Sequence, residues 1–180
     1  MRTNKNVRPA TLADIKALNN LIADSARELS KGFYSEEEAE GAITDIFGVD
    51  TQLIEDQTYL IVEIDDELVG CGGWSQRKTL FGGDQMKDEA DPLLDPETEP
   101  ARIRAFFVHP HWARRGIGGM LMRACEDAAR EAGFKALELV ATLPGEPLYL
   151  RYGFVEIRRY EVPMSNGVAL PVVSMRKKLS

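Results

Sequence analysis

The most informative part of the sequence is a basic, glycine-rich segment between a predicted strand and a predicted helix. Residues 108–121 read VHPHWARRGIGGML. Three glycines occupy what would be the first turn of that helix, Gly116, Gly118 and Gly119. A glycine inside a helix costs about 1 kcal/mol relative to alanine, so helix stability gives no reason for them. Glycines let an anion approach the unpaired N–H groups of a helix start, and Arg114 and Arg115 add positive charge. The segment therefore predicts a phosphate or pyrophosphate site, the alternative being a turn with solvated arginines.

The two common phosphate-binding loops do not fit this segment. The dinucleotide pattern G-x-G-x-x-G would need glycine at position 121, where the chain has Leu121. The P-loop pattern G-x-x-x-x-G-K-S/T is not supplied after Gly116. A nucleotide-binding transferase that uses the same loop nevertheless stays an alternative.

The elements that must position this segment predict an α/β domain with a mixed sheet. Strands are predicted at residues 7–10, 59–64, 67–76, 102–108, 135–141, 154–162 and 169–178. Helices are predicted at residues 11–29, 36–47, 116–132 and 144–151. The start of the second helix is indicated by the capping-box pair Ser35 and Glu38.

The glycine segment resembles motif A of the GNAT superfamily of acyl-CoA N-acyltransferases, Q/R-x-x-G-x-G/A. Here the motif reads ARRGIG over residues 113–118, with both glycines in place. Ala113 replaces the leading Gln or Arg, so that side chain's contribution is absent or shifted to Arg114. Residues 148–154, LYLRYGF, resemble the superfamily's F-Y-x-x-x-G-F segment, with Tyr149 at the tyrosine position. The order of elements also matches, and the resemblance covers about residues 5–178.

The resemblance implies one N-acetyltransferase domain over residues 1–180. It implies a mostly antiparallel sheet of about seven strands, splayed between the fourth and fifth, with about four helices. Acetyl-CoA is implied as the acyl donor, with the backbone amides of residues 114–119 holding the pyrophosphate of coenzyme A. The residues that it assigns to the coenzyme are Phe106, Phe107, Val108, Ala113, Arg114, Arg115, Gly116, Ile117, Gly118, Gly119 and Tyr149.

The resemblance also implies direct transfer, without an acyl-enzyme. The backbone N–H of Val108 would polarise the thioester carbonyl and stabilise the negative charge on its oxygen. Tyr149 would donate a proton to the departing thiolate, since a phenol with a pKa of about 10 is protonated at neutral pH. The alternative for Tyr149 is a core aromatic on a short helix.

The general base is left open. An alkyl ammonium has a pKa near 10 and must lose a proton before it attacks. Glu99 lies just before the fourth strand and His109 just after it. Either could act as the base, directly or through water, and either could instead be a surface residue.

Five residues are candidates for the acceptor side of the site, Phe33, Tyr34, Trp74, Arg102 and Arg104. The alternation of a strand places the two arginines on one face together with Phe106. There they could grip a carboxylate or phosphate of the acceptor, or pair with the acidic loop that precedes them. The three aromatics could wall the acceptor site or pack in the core.

Two further features have two readings each. Gly70, Gly72 and Gly73 interrupt the third strand, as a bulge or tight packing crossing, or as a close approach of a ligand. Residues 84–99 carry seven acidic residues and one lysine. They form either a solvated loop or a lid whose field attracts a cationic substrate.

Composition limits the partners and the location. The 180 residues have a net charge of −7, which argues against binding nucleic acid or anionic lipid. Residues 1–6 have no apolar signal core, and no apolar run reaches the roughly 18 residues of a membrane span, so we expect a cytoplasmic protein. Cys71 and Cys125 look like small buried hydrophobes, and we expect no metal. A homodimer through edge strands or the C-terminal hairpin stays open.

The sequence therefore predicts an acetyl-CoA-dependent N-acetyltransferase acting on an amine of a small molecule, peptide or protein. The main alternative is a non-catalytic acyl-CoA-binding or sensory module with the same fold. Tyr149 and the Gly116/Gly118 pair favour the enzyme.

Overall fold

The computed structural model describes residues 3–87 and 89–180. The strands of the described chain form one seven-stranded sheet. The strands are Lys5–Pro9 (β1), Tyr59–Ile64 (β2), Glu67–Ser75 (β3), Ala101–Val108 (β4), Ala136–Thr142 (β5), Val155–Pro163 (β6) and Ala169–Lys178 (β7). The helices are Ile15–Leu29 (α1), Glu36–Asp45 (α2), Thr51–Glu55 (α3), Ile117–Glu131 (α4) and Glu146–Arg151 (α5). Met1 and Arg2, in the N-terminal segment 1–6, and Asp88, in the acidic loop 84–99, lie outside the described residues.

The helices follow the local signals of the sequence closely. At the start of α2 the Glu38 amide donates to the Ser35 hydroxyl at 3.1 Å, and the Ser35 amide donates to the Glu38 carboxylate at 2.8 Å. This confirms the predicted capping box, although α2 ends at Asp45 rather than at residue 47. Helix α3 was not predicted, because its five residues are too few to show helical periodicity. Its cap is Asp50, whose carboxylate accepts from the Gln52 amide.

The sheet has the order β1-β2-β3-β4-β5-β7-β6 and is antiparallel except between β4 and β5. Those two parallel strands pair only at Ala101 with Leu137 and at Arg102 with Glu138. Beyond Arg102 they separate, which leaves the second half of β4 without a neighbour on that side. The mixed sheet and its splay at strands four and five confirm the predicted fold.

A bulge in β4 changes which side chains share a face. The register with β3 shifts between Cys71 and Gly73, and Ala105 has a φ of +53°. Arg104 therefore reaches Asp50, at the start of α3, whereas Phe106 packs in the clusters that contain residues of α4. The expectation that Arg104 and Phe106 lie on one face is wrong, because one extra residue reverses the alternation of a strand.

The glycines of β3 are required by packing. A Cβ on Gly70 would lie 2.6 Å from a side-chain carbon of Ile117, and one on Gly73 would lie 2.5 Å from the Thr58 carbonyl oxygen. A Cβ on Gly72 would collide with the Phe106 ring. Close packing, rather than the approach of a ligand, therefore accounts for these glycines.

Both cysteines are free and buried. In the described ranges, no helix is long and apolar enough to cross a membrane. Within the same ranges, no group of three or more His, Cys, Asp or Glu residues is arranged to hold a metal ion.

Candidate active site

The separation of β4 from β5 opens a cleft of about 470 Å³, here called the long cleft. All of the residues predicted to bind the coenzyme line it except Arg115. The guanidinium of Arg115 lies instead over the Trp112 ring, 5.1 Å from its centroid. Sequence reasoning missed the other lining residues, which are Ser25, Ala26, Leu29, Ser30, Phe47, Trp112, Thr142, Pro144, Gly145, Pro147, Leu148, Arg151 and Tyr152, together with Phe33, predicted for another role.

The first turn of α4 forms one end of the long cleft. Gly116 precedes it with a φ of +84°, and Arg114 has a φ of +60°, so the chain turns sharply into the helix. In the part of the chain that the structure describes, no side chain caps this helix. Its first N–H groups therefore remain free for an anion, and the positive end of the helix dipole favours negative charge there.

The glycines of this turn also allow α5 to pack against α4. A Cβ on Gly118 would lie 2.9 Å from a methyl carbon of Leu148, and one on Gly119 would collide with the Tyr152 hydroxyl. The sequence suggested only close approach of an anion. The structure adds a second reason for glycine, which is the small distance between two helices.

The backbone of Val108 faces the long cleft. The His109 amide donates to the Val69 carbonyl at 2.8 Å, and Val108 lies opposite Gly70 in the register. In an antiparallel ladder such a pair does not exchange hydrogen bonds. The N–H and C=O of Val108 therefore point away from β3, to the side from which β5 has separated.

Tyr149, on α5, lies where the long cleft meets a second cavity. Its side chain is buried, with only 8% of the residue exposed, and its ring centroid lies 6.2 Å from that of Phe106 and 5.9 Å from that of Phe154. Burial raises the pKa of Tyr149 above the ordinary phenol value, and Cys125 raises it further. The phenol therefore keeps its proton at neutral pH, so a proton is present for donation.

The second cavity, here called the apolar pocket, has a volume of about 80 Å³. It shares with the long cleft the residues Phe47, Phe106, Phe107, Thr142, Gly145 and Tyr149. Its other walls are Ile46, Gly48, Leu80, Phe81, Gly82, Ile103, Ala105, Val140, Val162, Leu170 and Val172. These residues come from distant parts of the chain and form no motif, so the sequence offered no signal for the pocket.

The aromatic residues predicted for the acceptor side do not line the apolar pocket. Phe33 is 49% exposed and lines the long cleft. The Tyr34 hydroxyl donates to the Pro171 carbonyl at 2.6 Å and accepts from the Leu143 amide at 2.9 Å, which ties the loop before α2 to β7 and to the end of β5. Trp74 packs edge-on against Phe134 in the core.

The two arginines predicted for the acceptor side line neither cavity. Arg102 forms an ion pair with Glu138 on β5 at 3.3 Å. Arg104 is 1% exposed and donates to the Asp50 carboxylate at 3.0 Å and to the Gly82 carbonyl at 2.7 Å. Arg102 and Arg104 therefore each have an internal partner outside the acidic loop 84–99. Arg104 is bound through Nη2 alone, because its Nε and Nη1 are buried without a hydrogen-bond partner among the described residues.

The two candidate bases also lie outside both cavities. The Glu99 carboxylate accepts from the Asp95 amide at 3.0 Å, and His109 Nδ1 accepts from the His111 amide at 3.1 Å. Among the described residues, no carboxylate or imidazole side chain lines either cavity. Neither candidate base is therefore brought to the cavities by the fold.

Comparison with known proteins assigns the chain to the acyltransferases and then to one family. A sequence model described as "Acetyltransferase (GNAT) family" matches residues 20–154, which is more than half of the chain. The protein therefore belongs to the GNAT acetyltransferase family, whose members use acetyl-CoA.

Solved structures show the same fold. A GCN5-related N-acetyltransferase from Rhodopseudomonas palustris has a TM-score of 0.73 at 22% identity, over 99% of each chain. The PaiA N-acetyltransferase from Thermoplasma acidophilum in complex with coenzyme A has a TM-score of 0.65 at 15% identity, over 98% of this chain and 99% of that one. The yncA protein from Salmonella typhimurium with its cofactor acetyl-CoA has a TM-score of 0.64 at 15% identity, over 98% and 95%. A search of curated proteins found no match.

Proposed function

We propose that this protein is an N-acetyltransferase that transfers the acetyl group of acetyl-CoA directly to an amine. One observation carries the proposal: the buried phenol of Tyr149 lies where the long cleft and the apolar pocket meet. A donor in the cleft and an acceptor in the pocket would therefore meet beside a group that can donate a proton.

The residues of the long cleft fit coenzyme A. The open start of α4 suits a pyrophosphate, and Arg114 and Arg151 are the charged side chains among the described lining residues. The free backbone edge of β4 beyond Arg102 suits an extended, amide-bearing arm. When bound, acetyl-CoA supplies an activated acetyl thioester.

The chain's own groups act on that thioester as follows. The Val108 N–H, directed into the cleft, donates to the carbonyl oxygen, where negative charge develops during attack. The acceptor nitrogen forms the new C–N bond as the C–S bond breaks. Tyr149 gives its proton to the departing sulfur, and the acceptor nitrogen loses one proton to water. The Tyr149 phenolate then takes a proton back from solvent, which restores the phenol.

Direct transfer is also favoured by the state of the cysteines. Burial raises the pKa of the Cys71 thiol to about 12 and also raises that of Cys125. Neither cysteine lines either cavity. A thiolate that could form an acyl-enzyme is therefore not supplied by these residues.

The proposal is tested by binding and then by turnover. Acetyl-CoA at 100 times its Kd should raise the free energy of unfolding by about 2.7 kcal/mol. The Tm should therefore rise by roughly 5–10 °C. ATP and NAD are the controls, because an equal shift with ATP would favour a nucleotide-binding transferase. Release of free coenzyme A thiol with an amine present would then exclude a non-catalytic acyl-CoA-binding module.

A further inference from the structure

The chemistry of the apolar pocket restricts the acceptor. Every wall that it does not share with the long cleft is an apolar residue or glycine, and the described walls include no charged side chain. Its polar side chains, Thr142 and Tyr149, lie at the junction with the long cleft. A charged group in this pocket would lose hydration without gaining a side chain of opposite charge, which is unfavourable.

The cation nearest in sequence to the pocket walls, Arg104, does not itself line the pocket. Arg104 lies on β4 between the wall residues Ile103 and Ala105, but its side chain is directed to Asp50 and to the Gly82 carbonyl. Asp50 is held in turn by Lys87 at 2.8 Å. Although Arg104 Nε and Nη1 have no hydrogen-bond partner among the described residues, the side chain lines neither cavity, so the surface of the pocket offers no cation to an acceptor carboxylate.

The size of the pocket limits the group that it can hold. Its volume is about 80 Å³, and a water-sized group needs at least roughly 10–15 Å³ by this measure. The pocket therefore holds roughly five to eight non-hydrogen atoms. A branched aliphatic chain or a phenyl ring has about this size.

The position of the pocket decides which part of the reaction it serves. Phe106 and Tyr149 form walls of both cavities, so a group seated in the pocket has its attachment point beside the phenol. The first turn of α4, where we place the pyrophosphate, lines the long cleft and not the pocket. The walls that the pocket does not share with the long cleft are therefore not among the residues proposed to bind the coenzyme.

On the basis of the proposed function, we infer that the acceptor is a primary amine whose amino group is joined to an uncharged apolar group. Branched aliphatic and aromatic amines fit the apolar pocket. Amino acids, polyamines and phosphorylated amines do not, because each would bring a second charge into it.

The test compares three primary amines of similar length with acetyl-CoA as donor. Isoamylamine has an apolar tail, γ-aminobutyrate a carboxylate and putrescine a second ammonium. We expect kcat/KM for isoamylamine to exceed both others by at least tenfold. Equal values, or a preference for γ-aminobutyrate or putrescine, would overturn the inference while leaving the proposed transferase intact.

A pair of isosteric variants ties that preference to the pocket. Val140→Thr adds a hydroxyl to a wall that the long cleft does not share, and Val155→Thr makes the same change at an exposed position of β6. We expect Val140→Thr to raise KM for isoamylamine about fivefold or more without changing the Kd of acetyl-CoA. Val155→Thr should change neither value. An unchanged KM in Val140→Thr would contradict the inference.

A second variant and a donor series separate the remaining outcomes. Phe81→Leu enlarges the pocket and should shift the preference from isoamylamine toward the larger phenethylamine. If the variants instead change the preference between acetyl-CoA and hexanoyl-CoA, the pocket holds the acyl chain and the inference is wrong. If acetyl-CoA stabilises the protein but neither apolar amine is acetylated, the inference also fails. If acetyl-CoA does not bind, the proposed function itself fails.

Discussion

The Tyr59 hydroxyl donates a hydrogen bond to the Ala105 carbonyl oxygen at 2.7 Å. Tyr59 lies on β2 and Ala105 on β4, with β3 between them. The Tyr59 ring lies beside Gly73, which is the partner of Tyr59 on β3. A Cβ on Gly73 would lie 2.9 Å from a carbon of that ring. Ala105 is the residue with the unfavourable φ in the bulge, so this bond stabilises the backbone that presents Phe106 and Val108 to the cleft.

We therefore predict that Tyr59→Phe lowers both stability and activity. Loss of the hydroxyl leaves the Ala105 carbonyl without this donor, which should lower the free energy of unfolding by about 1–3 kcal/mol. The bulge should also relax, so kcat should fall even at temperatures well below the Tm. Urea unfolding and steady-state kinetics measure the two effects. Tyr160→Phe, in the exposed strand β6, is the control, and an unchanged kcat in Tyr59→Phe would contradict a positioning role.

Tyr149→Phe should separate binding from catalysis. The ring and its packing against Phe106 and Phe154 remain, so the Tm shift with acetyl-CoA should persist. Turnover should fall by about 10²–10⁴-fold, because the departing sulfur loses its proton donor. Free-thiol release measures this loss, again with Tyr160→Phe as control. Turnover equal to that of the unmodified protein would show that Tyr149 serves only in packing.

Substitutions at Gly118 should separate packing from anion binding. Both Gly118→Ala and Gly118→Glu place a Cβ near Leu148, but only the second adds a negative charge at the helix start. We expect Gly118→Ala to keep a reduced thermal shift with acetyl-CoA and Gly118→Glu to lose it. Equal acetyl-CoA affinities in the two variants would show that the pyrophosphate does not bind at this turn.

The buried pair of Arg104 and Asp50 should be important for stability. Asp50→Asn leaves the Arg104 guanidinium without its counter-ion and removes one of the two carboxylate partners of Lys87, the other being Asp91. We expect a loss of about 3–5 kcal/mol in the free energy of unfolding, measured in urea. Glu97→Gln, which removes an exposed ion pair with Lys135, should have little effect. A comparable small effect for Asp50→Asn would show that the pair is dispensable.

The pH dependence of kcat/KM should be set by the pKa of the acceptor amine. The pKa of Tyr149 is raised, so the phenol stays protonated between pH 6 and 9 and causes no alkaline loss there. The described walls of both cavities supply no carboxylate or imidazole. The rate should therefore rise with pH until the amine's own pKa, which is near 10 for an alkylamine. Measuring two amines of different pKa checks this, and a shared plateau beginning below pH 8 would reveal an internal base.

Local features of the site could be predicted because they depend on neighbouring residues. Gly116 and Gly118 at a strand-to-helix turn, the Ser35–Glu38 capping box and the order of strands all follow from rules that act within a few positions. The spacing between that turn and Tyr149 indicated the family. Helix α3 could not be predicted from the sequence, because its five residues are too few to show helical periodicity.

The sequence by itself thus determined the fold class, the family and the glycine-rich turn at the start of α4, where we propose that the pyrophosphate binds. Only the tertiary structure decided the face of Arg104, the pairing of that residue with Asp50 at a separation of 54 positions, and the bond from Tyr59 to Ala105 across 46 positions. It alone also assembled the apolar pocket from β4, β5, β6, β7, α5 and the loops after α2, β3 and β5. The physical reason is that one bulge reverses a strand's alternation, and that contacts between distant segments are chosen by packing.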